Sequence, residues 1–286
     1  MTAAREGLGI WQRNPGWIDR RLDGPSEIVT RATTLSPNGQ ALAVQTTVAF
    51  ELWDLKKGIR VNHERLPYTR RDPTKPRFHP NPQSPLYAAD GSTITVTGRN
   101  AVVRFDSHGE PIDRFELDQD DFTAIDPTGT LLAATDSERT RVYDIRRKEL
   151  VAEWDKSARD LAFNGSGRYL AMATSGGGLV WDSTTGGEPR YVREGESARA
   201  VAFARDADVL AIGFSGRVLL LNPEELDVTA KIPTDVEVYR LALALDGNLV
   251  AWTSADQFVV WSRESRRVVL DESIDRIQAL ALAPDG

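Results

Sequence analysis

Hydrophobic and polar residues alternate along most of the chain in short runs, which turn-forming residues separate. A period of two is typical of half-buried β-strands, and no segment has the pattern of a helix. Seven of these runs end in a large apolar residue that a polar residue follows at once. The seven pairs are Trp11-Gln12, Trp53-Asp54, Phe105-Asp106, Tyr143-Asp144, Trp181-Asp182, Leu221-Asn222 and Trp261-Ser262, at spacings of 42, 52, 38, 38, 40 and 40 residues. The chain is therefore an internal repeat of β-strands.

A second feature keeps a constant distance from these pairs. Fourteen residues before six of them lie Gly39, Gly91, Gly129, Gly167, Ala207 and Gly247, and each of these follows a turn-forming residue. Glycine accepts the positive φ that a tight hairpin needs, so only Ala207 departs from the pattern. Each repeat is predicted to contain a strand, a tight turn, two further strands, a polar turn and a fourth strand.

Four antiparallel strands in each of seven repeats predict an all-β fold, a seven-bladed β-propeller that occupies residues 1–286 as a single domain. The predicted blades are 24–66, 86–118, 121–155, 158–194, 198–233, 238–272, and 277–286 together with 1–23. The last blade is predicted to be shared between the termini, with Leu8–Trp11 as its third strand and Trp17–Leu22 as its fourth. Such closure removes an exposed sheet edge.

At these pairs the chain resembles the WD40 repeat family. The resemblance rests on Trp53-Asp54 and Trp181-Asp182, on the variants Phe105-Asp106 and Tyr143-Asp144, and on the turn sequence Leu35–Gly39. It covers essentially the whole chain, and it implies a propeller whose loop-rich face binds other proteins.

Two departures from the family pattern indicate a divergent, bacterial member. The Gly-His pair of the family is absent, and its usual aspartate before the third strand is replaced. The residues at the aspartate position are Thr47, Arg99, Ser137, Ser175, Ser215 and Ala255. The family's His–Asp network therefore cannot form, and apolar packing between blades is expected to carry more of the stability.

Composition excludes several functions. The 286 residues include no cysteine, which excludes disulfides, thiolate nucleophiles and cysteine-ligated metals. The three histidines, His63, His79 and His108, are dispersed, so neither a metal site nor a cofactor is expected. The net charge of -7 argues against binding to nucleic acid or to an anionic membrane. With no signal peptide and no long apolar run, we expect a cytoplasmic location.

The longest spacing marks an insertion, Pro67–Pro85, that contains six prolines and only one acidic residue, Asp72. Proline density favours a stiff, extended loop. Its candidate partner-binding residues are Tyr68, Arg70, Arg71, Lys75, Arg77, Phe78 and His79. Arginine side chains pair with carboxylate or phosphate, and Phe78 would be an apolar anchor, so we predict a docking loop for an acidic or phosphorylated protein or peptide. The alternative is a solvated linker.

Three other features have structural interpretations. The acidic run Asp118–Asp121 is interpreted as a charged connection or an intramolecular partner for Arg70 and Arg71, in preference to a calcium site. Gly176–Gly178 is interpreted as a turn between strands, since a phosphate-binding loop would open a helix. The tryptophans outside the repeat register are expected to pack between blades; they are Trp17, Trp154 and Trp252.

The sequence favours a non-catalytic interaction platform that acts as a monomer or as part of a larger chain. One alternative is a propeller enzyme, of hydrolase or lactonase type, with a site over the central channel. Another is a sensor ring of a larger signalling ATPase or kinase. Fold alone does not decide among them.

Overall fold

The computed structural model describes residues 8–10, 20–22, 30–36, 38–46, 49–66, 85–88, 91–97, 101–117, 122–193 and 195–273. These residues form β-strands and turns, and none of them lies in a helix, as the alternation predicts. They fall into two compact units, one that ends at Leu117 and one that starts at Phe122.

The first unit contains one strand pair and two four-stranded antiparallel sheets, in which the strands follow each other in chain order. The pair is β1 (Leu8–Ile10) and β2 (Arg20–Leu22). The first sheet consists of β3 (Thr30–Leu35), β4 (Ala41–Thr46), β5 (Ala49–Asp54) and β6 (Ile59–Arg65). The second consists of β7 (Leu86–Tyr87), β8 (Thr93–Thr97), β9 (Ala101–Asp106) and β10 (Pro111–Glu116).

The second unit contains four antiparallel sheets, again in chain order. The first two are β11 (Phe122–Ile125), β12 (Leu131–Thr135), β13 (Thr140–Asp144) and β14 (Glu149–Trp154), then β15 (Ala158–Phe163), β16 (Tyr169–Thr174), β17 (Gly177–Asp182) and β18 (Arg190–Val192). The third is β19 (Ala198–Phe203), β20 (Leu210–Leu221) and β21 (Val228–Glu237). The fourth is β22 (Arg240–Leu243), β23 (Leu249–Thr253), β24 (Gln257–Ser262) and β25 (Arg267–Ser273).

Six sheets and one strand pair agree with the seven predicted blades. The pairing of Leu8–Ile10 with Arg20–Leu22 matches the predicted third and fourth strands of the shared blade, whose strand from 277–286 lies outside the described residues. One repeat differs from the prediction, because its second and third strands run on as β20. Gly216, with φ of 75°, lies at the expected turn inside that strand.

The repeated polar residue after the large apolar residue closes the turn before the fourth strand. Asp182 Oδ1 accepts hydrogen bonds from Thr184, at 2.9 Å from its backbone N–H and 2.6 Å from its hydroxyl. Asp144 and Asn222 accept backbone N–H groups in the same way, Asp144 from Arg146 and Asn222 from Glu224. An Asp or Asn at this position therefore stabilises each turn locally, which explains its recurrence.

The repeated glycine has the predicted role in the first turn. Gly167 has φ of 76°, and its N–H donates to the carbonyl oxygen of Asn164 at 2.9 Å. At the one departure the hydrogen bonding differs, because Val209 donates to the carbonyl oxygen of Ala207 at 2.8 Å. The turn forms there without a glycine.

The hydrophobic cores lie between neighbouring sheets within each unit, as predicted from the apolar strand positions. In the first unit the rings of Phe50 and Phe105 stack with centroids 4.4 Å apart. In the second, the rings of Trp154 and Trp181 meet edge to face at 5.3 Å. Trp252 is also buried between sheets. Trp11 and Trp17 lie outside the described residues.

Threonine hydroxyls link consecutive sheets in the second unit. Thr135 Oγ1 on β12 accepts a hydrogen bond from the N–H of Ala158, the first residue of β15, at 3.0 Å. Thr140 on β13 donates to the carbonyl oxygen of Lys156, in the connection to β15, at 2.7 Å. Hydrogen bonds between sheets therefore accompany the apolar packing.

The glycine run 176–178 is only partly the turn that its sequence indicates. Gly176 lies in the turn, but Gly177 and Gly178 are the first residues of β17. A Cβ on Gly178 would lie 2.7 Å from Ile212 Cδ1 in the next sheet. Close packing between sheets therefore requires a small residue there.

Candidate partner-binding site

The partner-binding residues predicted from the sequence lie outside the described residues. They are Tyr68, Arg70, Arg71, Lys75, Arg77, Phe78 and His79. The acidic run Asp118–Asp121 also lies outside them. β6 ends at Arg65 and β7 begins at Leu86, so the insertion connects a fourth strand to the next first strand, as predicted. Connections of the same kind are described in the second unit.

These connections and the turns between second and third strands lie at the same end of each antiparallel sheet. We call this end of the second unit the connection face. It consists of residues 136–139, 155–157, 175–176, 193, 195–197, 215–216, 238–239 and 254–256, with the strand ends that flank them.

Arginine side chains bridge consecutive sheets on the connection face. Arg159, near the start of β15, donates to Ser197 Oγ at 2.6 Å, in the connection before β19. Arg199, at the equivalent place in β19, donates to Glu237 Oε1 at 2.8 Å, at the end of β21. The side chains of Arg199 and Glu237 are 38% and 39% exposed, so both remain accessible to a partner.

Further charged side chains on this face pair with each other. Arg217 forms an ion pair with Glu196 and lies over the ring of Phe214, with its guanidinium carbon 5.2 Å from the centroid. Arg141 pairs with Asp136 at 3.1 Å. The face is a band of oriented polar groups, an arrangement that can steer and orient a charged partner.

An exposed aromatic side chain completes the face. Tyr239 follows Arg199 by 40 residues, directly precedes β22 and is 42% exposed. Tyrosine and arginine, together with tryptophan, are enriched among the energetically important residues of protein interfaces. Sequence reasoning missed this set, although Arg159, Arg199 and Tyr239 share one position in three successive repeats.

A half-buried carboxylate lies next to these residues along the first strands. Asp160 Oδ2 accepts a hydrogen bond from the N–H of Val201 at 3.0 Å. Burial raises the pKa of Asp160 to about 6, although the N–H groups of Val201 and Leu161 and the charge of Arg240 act in the opposite direction. Burial lowers the pKa of Arg240, and the charge of Asp160 opposes that change.

Groups that could carry metal chemistry are not assembled in the described ranges. No three histidine, aspartate or glutamate side chains there come together to hold a metal ion. His63 lies in a fourth strand, with Nδ1 3.0 Å from Glu51 Oε1, and His108 lies in the turn before β10, both as predicted. His79 belongs to the part of the chain that the structure does not describe. No helix that could span a membrane occurs among the described residues.

Comparison with known proteins establishes the fold. No protein-family model matches the chain, and no curated protein matches it. Among solved structures, a chain of the mitotic checkpoint complex is 16% identical, with a TM-score of 0.68 over 100% of this chain and 93% of that one. The WD40 repeats of RRP9 are 14% identical, with a TM-score of 0.68 over 93% and 87% of the two chains.

A third similar structure is the hydrazine synthase of Kuenenia stuttgartiensis, at 16% identity and a TM-score of 0.65 over 90% of each chain. At these identities the likeness concerns the fold alone. The fold is that of a WD40-like β-propeller.

Proposed function

We propose that this chain is a non-catalytic platform that binds a protein or peptide partner on its connection face, in the cytoplasm. The observation that carries the proposal is the set of half-buried Arg159 and Arg199 and exposed Tyr239 at one position in successive repeats. The insertion 67–85 is proposed as a second contact, because it connects blades in the same way as the segments of this face.

Two further observations support this function. Solved WD40 structures, one of them within the mitotic checkpoint complex, have the same fold. The arginines of the connection face are held in place by Ser197, Glu237 and Glu196, so little side-chain entropy is lost when a partner binds. An acidic or phosphorylated partner suits the arginines of the insertion.

A propeller enzyme is the second candidate, and the likeness to a hydrazine synthase favours it. Stoichiometric metal in the purified protein would support this candidate over the platform. The third candidate, a sensor ring in a larger signalling ATPase or kinase, uses the same binding face and differs in the neighbouring domains.

The test compares partner capture by the wild-type protein with capture by two variants. One variant carries Arg70→Glu, Arg71→Glu and Arg77→Glu, and the other carries Arg199→Glu and Tyr239→Ala. The matched control for the insertion variant carries Arg146→Glu, Arg147→Glu and Arg205→Glu, the same charge change in exposed turns at the opposite end of the sheets.

We expect both site variants to lose partners that the wild-type protein and the control variant retain, with unchanged melting temperatures. Loss in the insertion variant alone would confine the site to the insertion. Capture of the same partners by all four proteins would contradict the proposal.

A further inference from the structure

The outermost strand of the fourth sheet in the second unit, β25, is exposed to solvent along its whole length. Each of its seven residues is exposed. Three consecutive apolar side chains, Val268, Val269 and Leu270, are 51%, 56% and 39% exposed. An apolar strand at a sheet edge is a ready surface for another β-strand.

In other outer strands, the run of exposed apolar residues is interrupted by a charged residue or is shorter. In β6, Arg60 separates the exposed Ile59 and Val61. In β14, only Leu150 and Val151 are exposed large apolar residues. Among the strands whose side chains are described, β25 alone has three such residues in a row. The repeat itself therefore does not account for this feature.

The apolar run of β25 has a basic residue on one side and acidic residues on the other. Within the strand, Arg267 precedes it, and Asp271 and Glu272 follow it. Two copies of β25 that run antiparallel about a two-fold axis at Val269 place Val268 opposite Leu270. The same axis places Arg267 opposite Asp271, whereas Arg266, with φ of 53°, lies in the turn before the strand and takes no part in this pairing. The basic residue at one end of the apolar run then faces the acidic residue at the other end on both sides of the axis, so the strand is complementary in charge to its own copy.

We propose that β25 is the contact of a two-fold homodimer, in which this strand lies antiparallel to its copy in a second chain. The apolar side chains of the two copies pack against each other, and two symmetry-related Arg267–Asp271 pairs fix the register. This surface is separate from the connection face and does not depend on the proposed partner binding. It replaces the expected monomer with a self-associating chain.

Val269 has no paired residue on β24, the neighbouring strand of its own sheet. Leu270 lies opposite Val260 and Val268 lies opposite Trp261, so Val269 is the additional residue of a β-bulge. Asp271 has an exposed partner in its own sheet, Gln257 Nε2 at 2.7 Å from Oδ1, and its second carboxylate oxygen can accept from a neighbouring chain. Arg267 and Glu272 have no ion pair among the described residues.

The size of the contact sets the strength that we expect. A strand of seven residues spans about 23 Å, so the interface is at the lower end of specific interfaces. We expect reversible association with a Kd on the order of 10–100 μM rather than an obligate dimer. Sedimentation equilibrium of the full chain should show a mass that rises from 31.6 kDa toward twice that value with concentration.

The first variant is Val269→Lys, which brings two like charges together at the axis. We expect it to weaken association at least about tenfold. The matched control is Val151→Lys, because Val151 is the additional residue of the equivalent bulge in β14 and is 48% exposed. The control should associate like the wild type. Equal loss in both variants would overturn the proposal.

A charge exchange tests the register of the two strands. The Arg267→Asp variant alone would bring two acidic side chains together across the axis, and the Asp271→Arg variant alone would bring two basic ones together. Each variant by itself should therefore remain monomeric. A mixture of these two variants should form a heterodimer, and the double variant should regain the homodimer. Circular dichroism and melting temperature would establish that each variant folds.

Two results would overturn the proposal. One is a wild-type chain that stays at 31.6 kDa up to several hundred μM, well above the Kd expected for an interface of this size. The other is a folded double variant that fails to associate when the wild type does. Rescue by the exchange would be difficult to obtain from any other arrangement of these strands.

Discussion

The carboxylate of Asp160 on β15 accepts a hydrogen bond from the backbone N–H of Val201 on β19, with 3.0 Å between Oδ2 and N. The bond ties the first strands of two consecutive sheets, and a carboxylate that bridges strands at this depth is costly to ionise. Because burial disfavours the charged form, it raises the pKa of Asp160 to about 6.

Asp160→Asn should alter the dependence of stability on pH. A carboxyl group with a folded-state pKa of about 6, against an ordinary 3.8, stabilises the fold fully below pH 3.8 and loses this contribution as pH rises through 6. The loss amounts to as much as about 3 kcal/mol at about 1.4 kcal/mol per pKa unit. Urea unfolding of wild type and variant between pH 4 and 7 should therefore converge at low pH and diverge at high pH in favour of the variant. A constant difference would contradict the raised pKa.

Asp182→Ala should have the opposite pH dependence. Partial burial opposes ionisation, but hydrogen bonds from Arg168 and Thr184 outweigh it and lower the pKa of Asp182 to about 2. The carboxylate therefore stabilises the fold above pH 3.8, and the contribution disappears as pH falls through about 2. We expect the variant to lose about 2 kcal/mol at pH 7 and little at pH 2. Thermal unfolding at both pH values measures the difference, and equal losses would contradict the assignment.

Gly165→Ala should destabilise the chain because two turns from consecutive sheets approach closely at this glycine. A Cβ at residue 165 would lie 1.8 Å from the carbonyl oxygen of Arg205, so the backbone must move. We expect a loss of about 1–3 kcal/mol or more in the free energy of unfolding. Gly176→Ala is the matched control, since its Cβ would meet only Thr174 Oγ1, at 3.9 Å. A neutral Gly165→Ala variant would contradict the close approach.

Phe50→Ala should open a cavity in the core of the first unit. Phe50 is fully buried and stacks on Phe105, with ring centroids 4.4 Å apart. Loss of the ring should cost about 3–5 kcal/mol. The half-buried Phe115 provides the comparison, and Phe115→Ala should cost clearly less. Similar losses in chemical unfolding would contradict the central position of Phe50.

Local patterns predicted most of the fold. Alternation gave the strands, Gly167 and its equivalents gave the first turn, and Asp182 and its equivalents gave the turn before the fourth strand. Each of these features depends on residues close together in the chain, so a single repeat contains the necessary information. The prediction was wrong where a strand continued through its turn, at Gly216, and where Gly177 and Gly178 entered a strand.

The candidate binding site was only partly accessible to sequence reasoning. The insertion stood out by its prolines and arginines, and it stays a prediction. The connection face was missed because Arg159, Arg199 and Tyr239 are spread at 40-residue intervals, and no local motif marks them. Their spacing was a usable signal, but only together with the strand register.

The sequence by itself determined the repeat, the strands, the turns and the absence of cysteine chemistry, because these depend on composition and on near neighbours. Only the tertiary structure decided which groups of consecutive sheets meet, such as Asp160 with Val201 and Arg199 with Glu237. It also decided that the apolar run of β25 is exposed rather than buried. The physical reason is that burial and pairing between sheets depend on residues about forty positions apart, which a local pattern does not relate.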